Sequence, residues 1–514
     1  MRRLVTAALV ALLVPGVAGW ADAAPETRPG MAAGQMTWAV HISLAPTWFD
    51  PAETSGTITS YMVLYALHDA MVKPMPGNQL APSLAESWSV PPDGLVYEFA
   101  LRRGVRFHNG DPVTAEDVRF SFERYRGSAS KVVKDRVAAV EIPEVGRVRF
   151  RLKQPWPDFM TFYANATGSG WVVPKKYVET VGEEGFKKAP VGAGPYKFVS
   201  FNPGIELVLE AAEQFWRKAP SVKRLVFRVI PDEATRLVAL KRGEVDVAYL
   251  IRGALAEELR RTPGLRLRHT ALNSTFWINF LDQWDPKSPW HDRRVRLAAG
   301  LAVNRQGYNQ AELLGLARIT GSIIPSGFDF YWPPPAPVYD PARARALLAE
   351  AGYPNGFDAG DFFCDLAFTG PEAVVNDLRA VGLGLKLRPL ERAAFMKAFA
   401  ERKFKNLMYA SSAVFGNAAT RIESFVVSGG MYVYGSYPDI DGLFREQVSE
   451  LDRKRREAAL HRIQQLVHDK AMFAPLWEPA ILIGVGPSVE DAGLGLIAGY
   501  PYSAPYEDVR LKGK

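Results

Sequence analysis

Cysteine is nearly absent: Cys364 is the single one in 514 residues. That excludes an intramolecular disulfide, a Cys-based zinc site and a Cys-ligated iron–sulfur cluster. Histidine is scarce too, with seven residues, of which only His461 and His468 share a predicted helix. They lie too far apart for a zinc pair at i and i+4. Long blocks of charge of one sign are missing as well. The net charge of +7 is spread along the chain without a basic tail or arm, a pattern that bears on solubility and argues against a nucleic-acid partner. Internal repeats and low-complexity segments are missing, and so are the phosphate loop Gly-x-x-x-x-Gly-Lys, the His-Glu-x-x-His zinc helix and the Gly-x-Ser-x-Gly elbow. Gly192-Ala193-Gly194-Pro195 lacks the third glycine of a dinucleotide fingerprint and reads as a tight turn. Asp439-Ile440-Asp441-Gly442 begins like a calcium loop but lacks its closing Glu. No catalytic residue, metal or cofactor is therefore expected. A carboxylate pair of the glycosidase kind is the one catalytic device that sequence leaves open.

What is present is a globular composition, 48% hydrophobic and 23% charged, in a chain long enough for two to four structural units. The start reads as an export signal. Arg2 and Arg3 precede an apolar run from Leu4 to Gly19, and Ala21-Asp22-Ala23 fits a cleavage site, so residues 1–23 are expected to be removed near Ala23. No later stretch is long and uncharged enough to span a bilayer.

Strand and helix signals alternate. Residues 95–101 and 147–152 alternate apolar and polar side chains, with Arg147, Arg149 and Arg151 on one face. Residues 205–210 and 225–230 read as further strands. Thr114 and Asp340 are predicted N-caps, and Gly352 is the stop of the helix that Asp340 opens. Residues 447–470 carry helical spacing, with the charge run 452–457 expected on a solvated face. Tyr331-Trp332-Pro333-Pro334-Pro335-Ala336-Pro337 reads as a rigid surface connector.

One set of motifs is distinctive. It comprises Leu84-Ala85-Glu86-Ser87-Trp88, Pro92-Asp93-Gly94-Leu95-Val96-Tyr97-Glu98-Phe99, Leu101-Arg102-Arg103-Gly104-Val105-Arg106-Phe107-His108-Asn109-Gly110 and Thr114-Ala115-Glu116-Asp117-Val118. Phe49-Asp50-Pro51, Pro190-Val191-Gly192-Ala193-Gly194-Pro195-Tyr196, Lys241-Arg242-Gly243-Glu244-Val245-Asp246, Val303-Asn304-Arg305 and Tyr339-Asp340-Pro341-Ala342 accompany it in order. The chain resembles the extracytoplasmic solute-binding proteins of peptide and nickel ABC importers, solute-binding family 5. That resemblance implies an α/β, two-lobed periplasmic-binding-protein architecture that closes like a flytrap, with an extra subdomain inserted in the first lobe. The implied division is first lobe at 24–58, inserted subdomain at 59–185, first lobe again at 186–280, second lobe at 281–483 and a return to the first lobe at 484–514. The hinge crossovers are expected near residues 277–280 and 484–487. It also implies a periplasmic, monomeric protein that hands a small solute to the membrane subunits of an ABC permease.

Similar peptide binders hold the free amino group with a second-lobe acid, because a buried ammonium needs a carboxylate. The matching stretch here, residues 408–421, contains no acid; its one charge is Arg421. A ligand with hydroxyls, amides or an anionic group, peptide-like or opine-like, would suit Ser411, Ser412, Asn417 and Arg421, with Phe415 and Tyr432 nearby. Arg421 as a surface residue, with another acid doing the work, is the alternative. Ser55 and Thr57 follow the first matching block, Phe107 sits at a hairpin tip and Trp277 lies beside an expected crossover, so these complete the candidate ligand contacts. Residues 167–170 read as an anion nest or a plain turn. A nickel or metal-chelate binder is less favoured, since residues 411–434 hold no His. An exported hydrolase or a receptor-coupled sensor are the remaining readings.

Overall fold

The computed structural model describes residues 32–53, 59–127, 129–164, 168–366, 368–413, 416–497 and 499–513. The expected leader and cleavage point, Ser55, Thr57 and Phe415 lie outside them.

Two large sheets organise the molecule. The first runs in the spatial order Tyr196–Asn202, Glu206–Ala211, Val222–Val229, Ala33–Val40, Val247–Tyr249, Ala480–Val485 and Arg266–Ala271. Ala33–Val40 pairs in parallel with both neighbours, and the remaining pairs are antiparallel. A strand covered on both faces needs a continuous apolar run. Met36 to Val40 comes near to one, all five residues buried and Thr37 alone polar, and all six residues of Ala480–Val485 are buried. The second sheet orders Arg318–Ile319, Phe473–Glu478, Ser274–Phe280, Leu407–Ala413, Phe357–Asp365 and Leu383–Leu390. Each sheet has its own core, so each is the centre of one lobe.

The lobes are joined where strands run straight from one sheet into the other. Arg266–Ala271 ends and Ser274–Phe280 begins with only Leu272 and Asn273 between them, and Pro479 alone separates Phe473–Glu478 from Ala480–Val485. The two crossings lie side by side, the Leu272 N–H donating to the Pro479 carbonyl over 3.4 Å. The boundaries expected at 280/281 and 483/484, and the crossovers near 277–280 and 484–487, are therefore displaced. Each crossing is so short that the strands on either side read as one run, and Asn273 and Pro479 are the sole local marks of the change of sheet.

A four-stranded antiparallel sheet, Ala85–Ser89, Val96–Leu101, Arg147–Leu152 and Val137–Glu141, forms a separate layer. Its inner face packs Tyr97, Phe99 and Phe150 against Phe122, Phe159 and Tyr163. Its outer face pairs Arg147 and Arg149 with Glu98, and Arg151 with Glu141. The helix Ala115–Arg124 opens with a capping box of Thr114 and Asp117, as the sequence indicates. This layer is anchored to the first lobe by buried charge. Arg124 grips Asp50 through two bonds of 2.7 Å, a bidentate arrangement that fixes orientation. Asp69, fully buried, accepts from the Trp216 indole over 2.8 Å and pairs locally with Lys73 over 2.8 Å.

Candidate functional site

Because both crossings lie at one end of each sheet, that end faces the other lobe. In the first lobe it holds the carboxyl ends of the parallel strands, where open α/β sheets place ligands. Arg236 knits the loops there, donating to the carbonyls of Ile230, Pro231, Tyr249 and Leu250 over 2.7–2.9 Å. His41 follows Ala33–Val40 and lies against Tyr502, ring centres 5.2 Å apart. Burial, then the charges of Arg236 and Arg252, lower the His41 pKa to about 3, so its ring is neutral in ordinary buffers. Arg252 is held by Glu233 through its guanidinium (2.9 Å) and its backbone N–H (2.5 Å).

The second lobe presents Ser274, Ser411, Tyr308, Thr369 and Glu478 at the corresponding end. The hydroxyls of Ser274 and Ser411 are 3.0 Å apart. Tyr308 stacks on Trp477 at 4.3 Å and donates to Thr369 over 3.0 Å. Glu478, the last residue before Pro479, accepts from the Ser326 hydroxyl (2.7 Å), the Ser326 N–H (3.0 Å) and Arg318 (3.2 Å). Sequence reasoning confined to residues 408–421 passes over this hinge carboxylate. Its signal was the end of an apolar strand, and only the sheet topology turns that position toward the other lobe. The seam thus offers hydroxyls, aromatic faces and, beside the Glu233–Arg252 pair, the hinge carboxylate of Glu478. Among the described residues no group of three or more His, Cys, Asp and Glu is placed to hold a metal ion.

The candidate contacts separate into two groups. Ser411 lies in the strand Leu407–Ala413 at the seam, and Ser412 stands in that strand opposite Thr275. Arg421, Trp277 and Tyr432 are brought together, but in an aromatic stack inside the second lobe. Arg421 has no exposed surface, which replaces the surface reading. Its guanidinium lies 5.3 Å from the Phe425 ring, 5.6 Å from Trp277 and 5.9 Å from Phe328, and burial lowers its pKa to about 9. Tyr432 extends the stack over Phe425 at 5.1 Å and Phe399 at 4.7 Å. Trp277 and Phe107 are 0% and 3% exposed. Each ring is taken up by packing, Trp277 within the second lobe and Phe107 in the four-stranded layer. Asn417 caps the helix Ala418–Phe425, accepting from the Thr420 N–H, and donates across to Asp158. The charge run 452–457 is only partly solvated: Arg456 is 4% exposed and ion-pairs with Asp158. The helix carrying that run is Arg453–Asp469, shorter than the span 447–470.

A cavity of about 240 Å³ lies inside the second lobe beneath residues 332–338, lined by Leu297, Ile324, Val426 and Phe473 among others. All its lining residues belong to that lobe, so it is distinct from the seam.

A family profile described as bacterial extracellular solute-binding proteins, family 5 Middle, matches residues 79–432. The chain is 26% identical over 505 residues to Di/tripeptide-binding protein 2 of Pseudomonas aeruginosa (strain UCBPP-PA14), covering 89% of this chain and 91% of the relative. It is 29% identical over 353 residues to the Glutathione-binding protein GsiB of Salmonella choleraesuis (strain SC-B67), covering 64% of each. In structure it is similar to the ABC transporter-associated periplasmic binding protein DppA from Helicobacter pylori in complex with peptide STSA. That likeness has a TM-score of 0.76 at 24% identity and covers 93% of this chain and 98% of that one.

Proposed function

The chain belongs to the bacterial extracellular solute-binding proteins of family 5, and from that premise we propose that it captures a small peptide-like solute by lobe closure and hands it to an ABC permease in the membrane. The observation that carries the reading is the hinge: two sheet-centred lobes between which the chain passes, among the described residues, at Leu272-Asn273 and Pro479. Two adjacent extended crossings permit rotation of one lobe against the other with little loss of internal hydrogen bonding. A ligand touching both lobes stabilises the closed form by its differential affinity, and closure is the signal the permease reads.

Relatives named for di/tripeptides and for glutathione support a peptide-like class. The absence of an acid in residues 408–421 favours a ligand whose polar contacts are hydroxyls, amides or carboxylates over one gripped by its free ammonium. The protein acts as a monomer in the periplasm after cleavage near Ala23, and works as a binder without turnover. Isothermal calorimetry against dipeptides, tripeptides, glutathione, amino-acid–sugar conjugates and chelated nickel tests this. Micromolar or tighter binding of a peptide-like compound is expected. Binding of chelated nickel alone, or hydrolysis of any of these compounds, overturns it.

A further inference from the structure

The four-stranded layer and the second lobe are each joined to the first lobe, but no chain crossing links them to one another. They nevertheless meet through buried charge. Asp158, 5% exposed, stands at the start of the short helix Phe159–Tyr163. Its Oδ1 accepts from Asn417 over 2.5 Å, and its Oδ2 is ion-paired with the Arg456 guanidinium. Arg456 in turn donates through Nε to Gln447 over 3.1 Å and lies 5.1 Å from the Phe330 ring. Asn417 and Arg456 are both 4% exposed and Gln447 is 1% exposed. A second tie runs beside the first with its polarity reversed. Arg136, whose guanidinium lies 4.6 Å over Trp156, reaches Glu423 on the helix Ala418–Phe425 over 2.8 Å.

We propose that Asp158 is the centre of an interlobe latch, a positioning residue that holds the second lobe closed and fixes the start of the helix carrying Arg421. The contacts exist only while the lobes are together, because nothing covalent maintains them. In the open form Asp158, Arg456 and Asn417 are hydrated. In the closed form the carboxylate is the partner of a guanidinium that water no longer reaches. Removing its charge leaves Arg456 buried without a counter-ion in the closed form alone, so the penalty falls on closure and spares the folding of each lobe. The Asp158 carboxylate is buried and its charge is already matched by the Arg456 guanidinium, so the latch sets how readily the lobes close and leaves the choice of solute to the seam.

The inference rests on the two-lobed solute-binding reading, and its test uses no ligand so that the two can fail separately. Single-molecule energy transfer between dyes at V145C and V338C reports the distance between the layer and the second lobe. Both positions are exposed, at 102% and 61%, and the native Cys364 is buried. Protein stripped of ligand by unfolding and refolding is expected to show a closed population whose ratio to the open one falls about tenfold or more in D158N. R456Q should do the same, and D158N/R456Q should open the protein no further than either alone, since both remove one interaction. E423Q, in the more exposed pair, should shift the ratio less than threefold or so. A far-ultraviolet spectrum matching wild type shows that each variant is folded. A closed fraction in D158N equal to wild type, additive effects of the two substitutions, or no closed population in the wild type overturns the latch.

Discussion

Acidification is expected to weaken this fold through His68 in particular, by an amount the structure fixes. His68 is fully buried at the junction of the first lobe and the four-stranded layer, and its Nε2 lies 2.9 Å from the Phe49 carbonyl. That contact assigns the proton to Nε2 and leaves Nδ1 buried with no hydrogen-bond partner. Burial first, with the charges of His108 and Arg124 adding to it, outweighs the Phe49 bond and Asp50 and lowers the pKa from 6.5 to about 4. The folded value lies below the unfolded one, so the unfolded chain takes up the proton first. Stability is complete above the unfolded value and falls as pH drops from 6.5 toward 4. Between about pH 7.5 and about pH 5 the loss through this side chain is about 2 kcal/mol, roughly a thirtyfold change in the folded-to-unfolded ratio. Urea unfolding of wild type and H68Q at several pH values in that interval measures it. His41 and His108 are lowered in the same direction, to about 3 and about 4, so the wild type loses more in total. The informative quantity is the difference in slope, which H68Q should reduce by that same 2 kcal/mol or so. Equal slopes in the two proteins would refute the assignment of a buried neutral imidazole.

Three further expectations concern packing and buried charge. K73M removes the cation from a buried pair and leaves Asp69 with only Ser83 and Trp216 as side-chain donors; urea unfolding should show a loss of about 3–5 kcal/mol. W277A empties the centre of the Arg421 stack and should cost about 3–5 kcal/mol by the same measurement, whereas an unchanged midpoint would return Trp277 to the cleft-facing side chains. G192A would place a Cβ 1.9 Å from the Leu67 carbonyl oxygen and 2.7 Å from His68 Nδ1; both are rigid neighbours, so soluble yield should collapse, and a normally folded G192A would contradict the close approach.

Local features were legible because their causes are local. The alternation in residues 147–152 produces the strand Arg147–Leu152, its three arginines outside. Thr114 and Asp340 cap their helices, and Gly352 adopts the left-handed φ of 96° that ends one. Gly192-Ala193-Gly194-Pro195 is a turn whose glycines admit the backbone of residues 66–68, which gives that motif a physical reason. Long-range facts were hidden. Arg456 reads as one of four basic residues in a row, and only its distance from Asp158 in space separates it from its solvated neighbours. Arg421 reads as the one charge of residues 408–421, and Trp277 and Phe328 from distant segments, with Phe425 one turn along its own helix, bury it. The crossings at Leu272-Asn273 and Pro479 leave no local mark beyond Asn273 and Pro479 themselves because a strand that changes sheets remains a strand.

Closure of the two lobes around a solute is open to native mass spectrometry of protein purified from periplasm without added ligand. A closed cleft shields its ligand from wash and buffer, so part of the protein should carry an extra mass matching a peptide-like compound. That mass should vanish on unfolding, and restoring the compound should shrink the radius of gyration of the stripped protein in small-angle scattering. A ladder of peptides held by their free amino termini would contradict the ligand class argued from residues 408–421. A compound that binds without any change in radius would contradict closure itself.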